Sequence, residues 1–222
     1  MQNISISDEF ADKWPAVKLG CLECSVTVEE NSPLLWNRIV QISNELRIQI
    51  HIEEVSSIPA IAASRKVYRT FGKDPARYRL SAEALIRRIL KGNELYQVNN
   101  VVDIVNLVSL KSGFSIGGYD AEKINGDVRL SVGKLNDVYE GIGRGVLNID
   151  CLPILRDHFG AFGSPTSDSI RTCVDLSTKR FLMVIFGFGD FENLQSTLRF
   201  SEEILVEFAN AHSVTTKIIS HG

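Results

Sequence analysis

The densest group of reactive side chains is residues 163–172, GSPTSDSIRT, where hydroxyls surround one carboxylate and one arginine. Ser164 followed by proline can open a helical turn, whose free N–H groups accept a carboxylate or a phosphate. Thr166, Ser167 and Ser169 add donors, and Asp168 offers a carboxylate for an α-amino group. Arg171 can hold a phosphate or carboxylate in a two-point grip. The alternative is a surface loop whose serines and aspartate make local turn bonds.

Three other chemistries find weaker support. His158 lies close in sequence to Ser164, Ser167 and Asp168, but there is no G-x-S-x-G elbow of a serine hydrolase. The glycines at 141, 143 and 145 lack the strand-to-helix context of a nucleotide loop. Cys21 and Cys24 form a C-x-x-C inside the alternating run LGCLECSVTV. Residues three apart on a strand face opposite ways, so small buried residues are the reading and neither a metal nor a cofactor is expected.

Charge is unevenly distributed. The chain has 222 residues and a net charge of −3, which argues against a generic nucleic-acid binder. Residues 65–91, however, carry Arg65, Lys66, Arg69, Lys73, Arg77, Arg79, Arg87, Arg88 and Lys91 against only Asp74 and Glu83, a local +7. The rest of the chain is then −10. Such asymmetry can steer a phosphate backbone to one face, or describe two solvated helix faces.

The elements that must position these groups follow from periodicity. Pro15 to Glu29 alternates, predicting one or two strands; Ser32-Pro33 starts a helix that runs to about Ile52. A second helix is expected over Ile58 to Phe71, ended by Gly72, and a third is capped by Ser81 and runs to Leu90. Val98 to Leu110 reads as helix, with Asp103, Asn106 and Ser109 drifting around one side, or as strand. Short strands follow near Val128 to Val132 and Gly145 to Ile149, then two strands over Arg171 to Gly187. Glu192 to Asn210 reads as an amphipathic helix and Val214 to Ile219 as a last strand. The expected fold is α+β in one compact domain, helices early and sheet late. No apolar run resembles a signal peptide or spans a bilayer, so a cytoplasmic protein is the default.

Within Ala76 to Gly126 several spacings coincide: Asn100, Val101, Val102, Asp103, Asn106 and Val108, then Gly113, Tyr119, Asp120, Ile124 and Gly126. This pattern resembles the tRNA-editing module (B3/B4 domain) of the phenylalanyl-tRNA synthetase beta subunit. The looser likeness extends over about Arg65 to Asp190, with residues 1–64 as an N-terminal extension and 191–222 as a closing helix and strand. The resemblance implies a mixed β-sheet with flanking helices. It also implies a pocket that holds the 3′ end of a mischarged tRNA and hydrolyses its aminoacyl ester with positioned water.

Asp103, Asn106, Gly118, Tyr119 and Asp120 carry over. Gly117 stands where the family has a histidine, and residues 163–172 hold no counterpart of the family's later glutamate; the departures imply a different ligand. Gly117 and Gly118 suit a close approach of backbone to ligand or a turn at positive φ. Asn106 either orients ligand or water or is hydrogen-bonded in place, and Asp103 is a structural cap for the glycine turn. Asn106, Gly117, Gly118, Ser167, Asp168 and Arg171 are expected to converge on one pocket, with tRNA on the basic segment. The leading function is trans-editing of mischarged aminoacyl-tRNA, with no catalytic residue singled out. The alternative is a non-catalytic module binding RNA, a free amino acid or a related metabolite.

Overall fold

The computed structural model describes residues 1–189 and 193–221. Two four-stranded sheets and a layer of helices stack around two apolar cores. The first sheet has the order β10-β2-β9-β3, formed by His212–Ser220, Lys18–Ser25, Arg180–Gly187 and Ile116–Asp120. All its neighbours are antiparallel. The second sheet has the order β1-β4-β7-β8, formed by Ile4–Ile6, Val128–Val132, Pro153–Asp157 and Gly160–Gly163. It is mixed, because β1 and β4 run parallel. A separate two-stranded ribbon joins β5 (Val138–Gly141) to β6 (Gly145–Asn148). The fold class is α+β.

Alternation along the central strands builds the layers. On β9, Phe181, Met183 and Ile185 enter the core beneath the helices, whereas Leu182, Val184 and Phe186 enter the core between the sheets. A strand buried on both faces reads as a continuous apolar run, as FLMVIF does. On β2, Cys24 joins the first core and Cys21 the second. The C-x-x-C thiols therefore face away from each other, and burial pushes both up to about 12.

The helical layer comprises α2 (Pro33–Gln49), α3 (Pro59–Thr70), α4 (Ser81–Leu90), α5 (Asn100–Ser112) and α6 (Asn193–Ala209); the short α1 (Asp8–Lys13) packs Phe10 into the second core. Among the described residues no helix is long and apolar enough to cross a membrane. Val98 to Leu110 resolves as helix: the Asn99 side chain accepts from Val102 N–H, and Gly113 ends α5 in the left-handed conformation at φ +75°.

Several expectations are corrected. The strand expected within Pro15 to Glu29, β2, lies in the middle of its sheet, so the sheet is not confined to the later chain. Ser81 is the first helical residue of α4 and Leu80 its cap, with no side-chain capping bond. Asp103 does not cap the glycine turn. Its Oδ1 accepts from Val98 N–H at 3.2 Å, at the opposite end of α5. Arg171 to Gly187 contains a 3-10 turn at Ile170–Thr172 and a single strand, β9. The expected helix start at Glu192 and the family boundary at Asp190 lie outside the described residues.

Candidate functional site

β3 and β8 are each the edge of their sheet, and residues 164–169 run along the joint between them. Asp168 ties the two edges together. Its backbone bridges to Gly163, Gly118 N–H donates to its Oδ2 at 3.4 Å, and the Tyr119 hydroxyl donates to its Oδ1 at 2.7 Å. Part of the Asp168 surface stays in solvent while the carboxyl turns inward. Removal from water pushes this carboxyl up to about 7, although the bonds from Tyr119, Gly118 and Ser164 favour its ionised form.

The rest of the loop is held by two more buried tyrosines. Tyr68, from α3, shares a 2.8 Å bond with Thr166 Oγ1. Tyr139, from β5, donates to Ser167 O at 2.5 Å and shares a 3.0 Å bond with Ser164 Oγ. Ser164 Oγ also accepts from Thr166 N–H and Ser167 N–H, closing a hydroxyl turn, and Ser169 Oγ accepts from Arg171 N–H. Ser164, Thr166 and Ser169 are buried. The segment is thus a locally bonded turn, as the plainer sequence reading had it, but one drawn into the protein. Buried hydroxyls need partners, and the tyrosines supply them. Burial holds all three phenols above their ordinary range, and the Asp168 charge adds to this at Tyr119.

The glycines serve packing. Neither Gly117 nor Gly118 has positive φ. A Cβ on Gly117, or on Gly163 opposite, would fall inside the Tyr119 hydroxyl, so the ring threads between these two glycines to reach Asp168. Tyr119 then meets Phe162 edge-on at 5.0 Å between centroids. Gly118 faces the other core, where a Cβ would lie 3.0 Å from Val105 of α5. A histidine could not stand at position 117 without displacing Tyr119.

Two expected members do not join this cluster. The Arg171 guanidinium forks onto Asp157 of β7, Nη1 to Oδ2 and Nη2 to Oδ1, both at 2.9 Å, and also donates to Gly160 O. It does not pair with Asp168. Burial alone would raise the Asp157 carboxyl, but Arg171 and the N–H groups of Asn125 and Phe159 hold it below its ordinary range. Arg171 is accordingly a brace between the 3-10 turn and the second sheet. Asn106 is half-buried on α5, one residue from the Val105 contact, and its side chain makes no hydrogen bond with the described residues. The roomier depressions, about 450 and 570 Å³, lie against α5 and α6, the larger also against α2, and include none of the expected site residues.

The basic segment is split in two. Arg65 and Arg87 both bind the buried Glu83 at 2.9 Å, and Arg87 also donates to Ile52 O. Arg88 donates to Glu94 O and lies over Tyr96, and Lys73 lies over Tyr78. Lys66, Arg69, Arg77 and Arg79 are exposed and form no ion pair with the described residues. The connector bearing Arg77 and Arg79 runs directly against the loop. Ser81 N–H donates to Pro165 O at 2.8 Å, and Thr166 Oγ1 donates to Tyr78 O at 3.4 Å.

Tyr68, Tyr139 and Asp157 are structural partners that sequence reasoning missed. Tyr68 could have been found as a phenol on the apolar face of α3, since its hydroxyl has to find a partner inside. His158 is not on the loop serines; its ring covers Gly126, so no serine–histidine pair forms.

No curated protein matches the chain. A solved N-terminal fragment of the phenylalanyl-tRNA synthetase beta subunit from Pyrococcus horikoshii is similar at 13% identity and a TM-score of 0.47, over 99% of this chain and 50% of that one. This chain therefore spans about half the length of that structure. The B3/4 domain matches residues 63–212, which include most of α3, the basic connector, α5, β3, the tyrosine-held loop and α6. The chain belongs to the B3/4 domain family.

Proposed function

We propose that the chain receives the aminoacylated 3′ end of a tRNA and hydrolyses a mischarged aminoacyl ester in trans, acting in the cytoplasm. The observation that carries this reading is the pair of bonds joining the basic connector to the polar loop, Ser81 to Pro165 and Thr166 to Tyr78. They set exposed cations beside a carboxyl suited to an α-ammonium group. Phosphates meet Lys66, Arg69, Arg77 and Arg79, and Asp168 meets the ammonium, whose charge favours its ionised form. Ester cleavage then depends on orienting water and on amide donors toward the oxyanion.

Deacylation assays over a panel of mischarged tRNAs test this proposal, alongside tRNA binding across salt. Turnover of at least one aminoacyl ester, lost in Asp168→Asn, which removes the charge but keeps an oxygen acceptor for the Tyr119 hydroxyl, is the expected result. No turnover of any ester, together with no salt-dependent tRNA binding, rejects it.

A second reading, a non-catalytic module for RNA or a free amino acid, has its own support. The Ser164 and Thr166 hydroxyls are committed to Tyr139 and Tyr68, and the place of the family's histidine is filled by the Tyr119 ring. Saturable binding of uncharged tRNA or of a free amino acid without turnover distinguishes this reading from the first.

A further inference from the structure

The β5–β6 ribbon joins neither four-stranded sheet. The candidate site grips it along one side. Tyr139 is bonded to Ser164 and Ser167, Gly141 bridges to Ser169, and Ile142 N–H donates to Asp168 O at 3.0 Å. The loop is therefore gripped from two sides: residues 165–166 by the basic connector, residues 167–169 by the ribbon.

The tip of the ribbon is shaped to present one side chain. Gly143 and Gly145, at φ +66° and +68°, flank Arg144 in a conformation that L side chains rarely adopt. Arg144 N–H closes the turn on Gly141 O at 3.1 Å. The Arg144 side chain is exposed and makes no ion pair or hydrogen bond with the described residues. The turn that carries it is anchored to the loop by the Gly141–Ser169 bridge and by the Ile142 bond to Asp168. Ile142, in the same turn, is 49% exposed and leaves apolar surface beside this cation. The acid on the ribbon, Glu140, is exposed and alternates to the face opposite Tyr139 and Gly141.

We infer that the ribbon is a second RNA-binding arm, in which Arg144 contacts a phosphate of the single-stranded 3′ end as it crosses residues 164–169, with Ile142 against a base. This rests on the tRNA reading above. A strand crossing the loop from the connector meets cations on both sides of Asp168, an arrangement suited to a phosphodiester chain and wasted on a lone amino acid. Single-stranded nucleic acid is held by this combination of cations along the backbone and flat contacts to the bases.

The test compares intact tRNA with the same tRNA lacking its single-stranded 3′ terminus, for wild type, Arg144→Gln, Glu140→Gln and the connector variant Arg77→Gln/Arg79→Gln. Wild type should prefer intact tRNA. Arg144→Gln should lose that preference, weaken intact tRNA about fivefold, and lower the salt slope by about 0.7, the value for one single-strand phosphate. Glu140→Gln should bind at least as well as wild type, and the connector variant should weaken both RNAs. Arg144→Gln equal to wild type, or weakening both RNAs equally, overturns the arm while leaving the tRNA reading intact. Absence of salt-dependent binding by wild type rejects both. Unchanged melting of Arg144→Gln confirms that the fold is not the cause.

Discussion

The Tyr119 hydroxyl donates a 2.7 Å hydrogen bond to Oδ1 of Asp168, across 49 positions of sequence and from β3 to the loop that follows β8. The carboxyl at the centre of the candidate site is thus oriented by a phenol that lies wholly inside the protein. Tyr119→Phe should remove this donor without changing the ring's packing. Loss of a bond to a charged or partly charged acceptor costs about 1–3 kcal/mol, and the Asp168 carboxyl should titrate still higher. Chemical denaturation and carboxyl NMR check the two effects. A variant as stable as wild type, with Asp168 titrating unchanged, rejects this role.

Asp168 also predicts a pH dependence. Its folded pKa, about 7, lies above the ordinary carboxylate value of 3.8, so the folded protein holds the proton more tightly than the unfolded chain. Stability from this group is complete below about pH 4 and is lost as pH rises toward 7. Asp103, raised by burial to about 6, acts in the same direction over a narrower window. Asp168→Asn should therefore gain stability relative to wild type on going from pH 4 to pH 8. The gain should be at least about 1 kcal/mol, since a tenfold change in proton affinity is worth about 1.4 kcal/mol. Parallel denaturation curves at the two pH values decide it; an identical difference at both shows Asp168 to be unshifted.

The Arg65–Glu83–Arg87 group predicts which cations are structural. The Glu83 side chain is 2% exposed and the two guanidinium side chains 16% and 22%. Glu83→Ala leaves two poorly solvated cations unpaired and should cost about 3 kcal/mol. Arg87→Ala strands the buried carboxylate and should also lower the melting temperature. Lys66→Gln and Arg69→Gln should leave stability within about 0.5 kcal/mol of wild type. Equal melting of the Glu83 and Lys66 variants argues against the division.

Gly163→Ala tests the threading of Tyr119. The added methyl would collide with the Tyr119 hydroxyl, so the ring must leave Asp168 or the two sheets must part. Overpacking of this kind costs about 1–3 kcal/mol. Gly143→Ala, which meets no atom within 4 Å, should pay only for its φ of +66°. Melting of the pair checks the contrast, and a Gly163 variant no less stable than the Gly143 variant removes the steric argument.

Much of the architecture was legible in the chain because it depends on neighbours in sequence. Apolar spacing located α2, α3 and α4 within a few residues, while α5 stayed open between helix and strand, and strict alternation implied that Cys21 and Cys24 face separate sides of β2. The spacing from Asn100 to Gly126 pointed to the family, and residues 163–172 were marked by composition alone as the place to look. Partnership was not legible. Arg171 and Asp157 are 14 residues apart, Tyr68 and Thr166 are 98 apart, and nothing in local periodicity selects one buried carboxylate or phenol over another. Whether Arg171 would grip a ligand or brace a turn, and whether Gly117 would admit a ligand or a tyrosine, depended on which groups the stacked sheets brought within hydrogen-bond reach. A buried donor or acceptor has to be satisfied by whatever the packing sets beside it, and only the tertiary structure decides what that is.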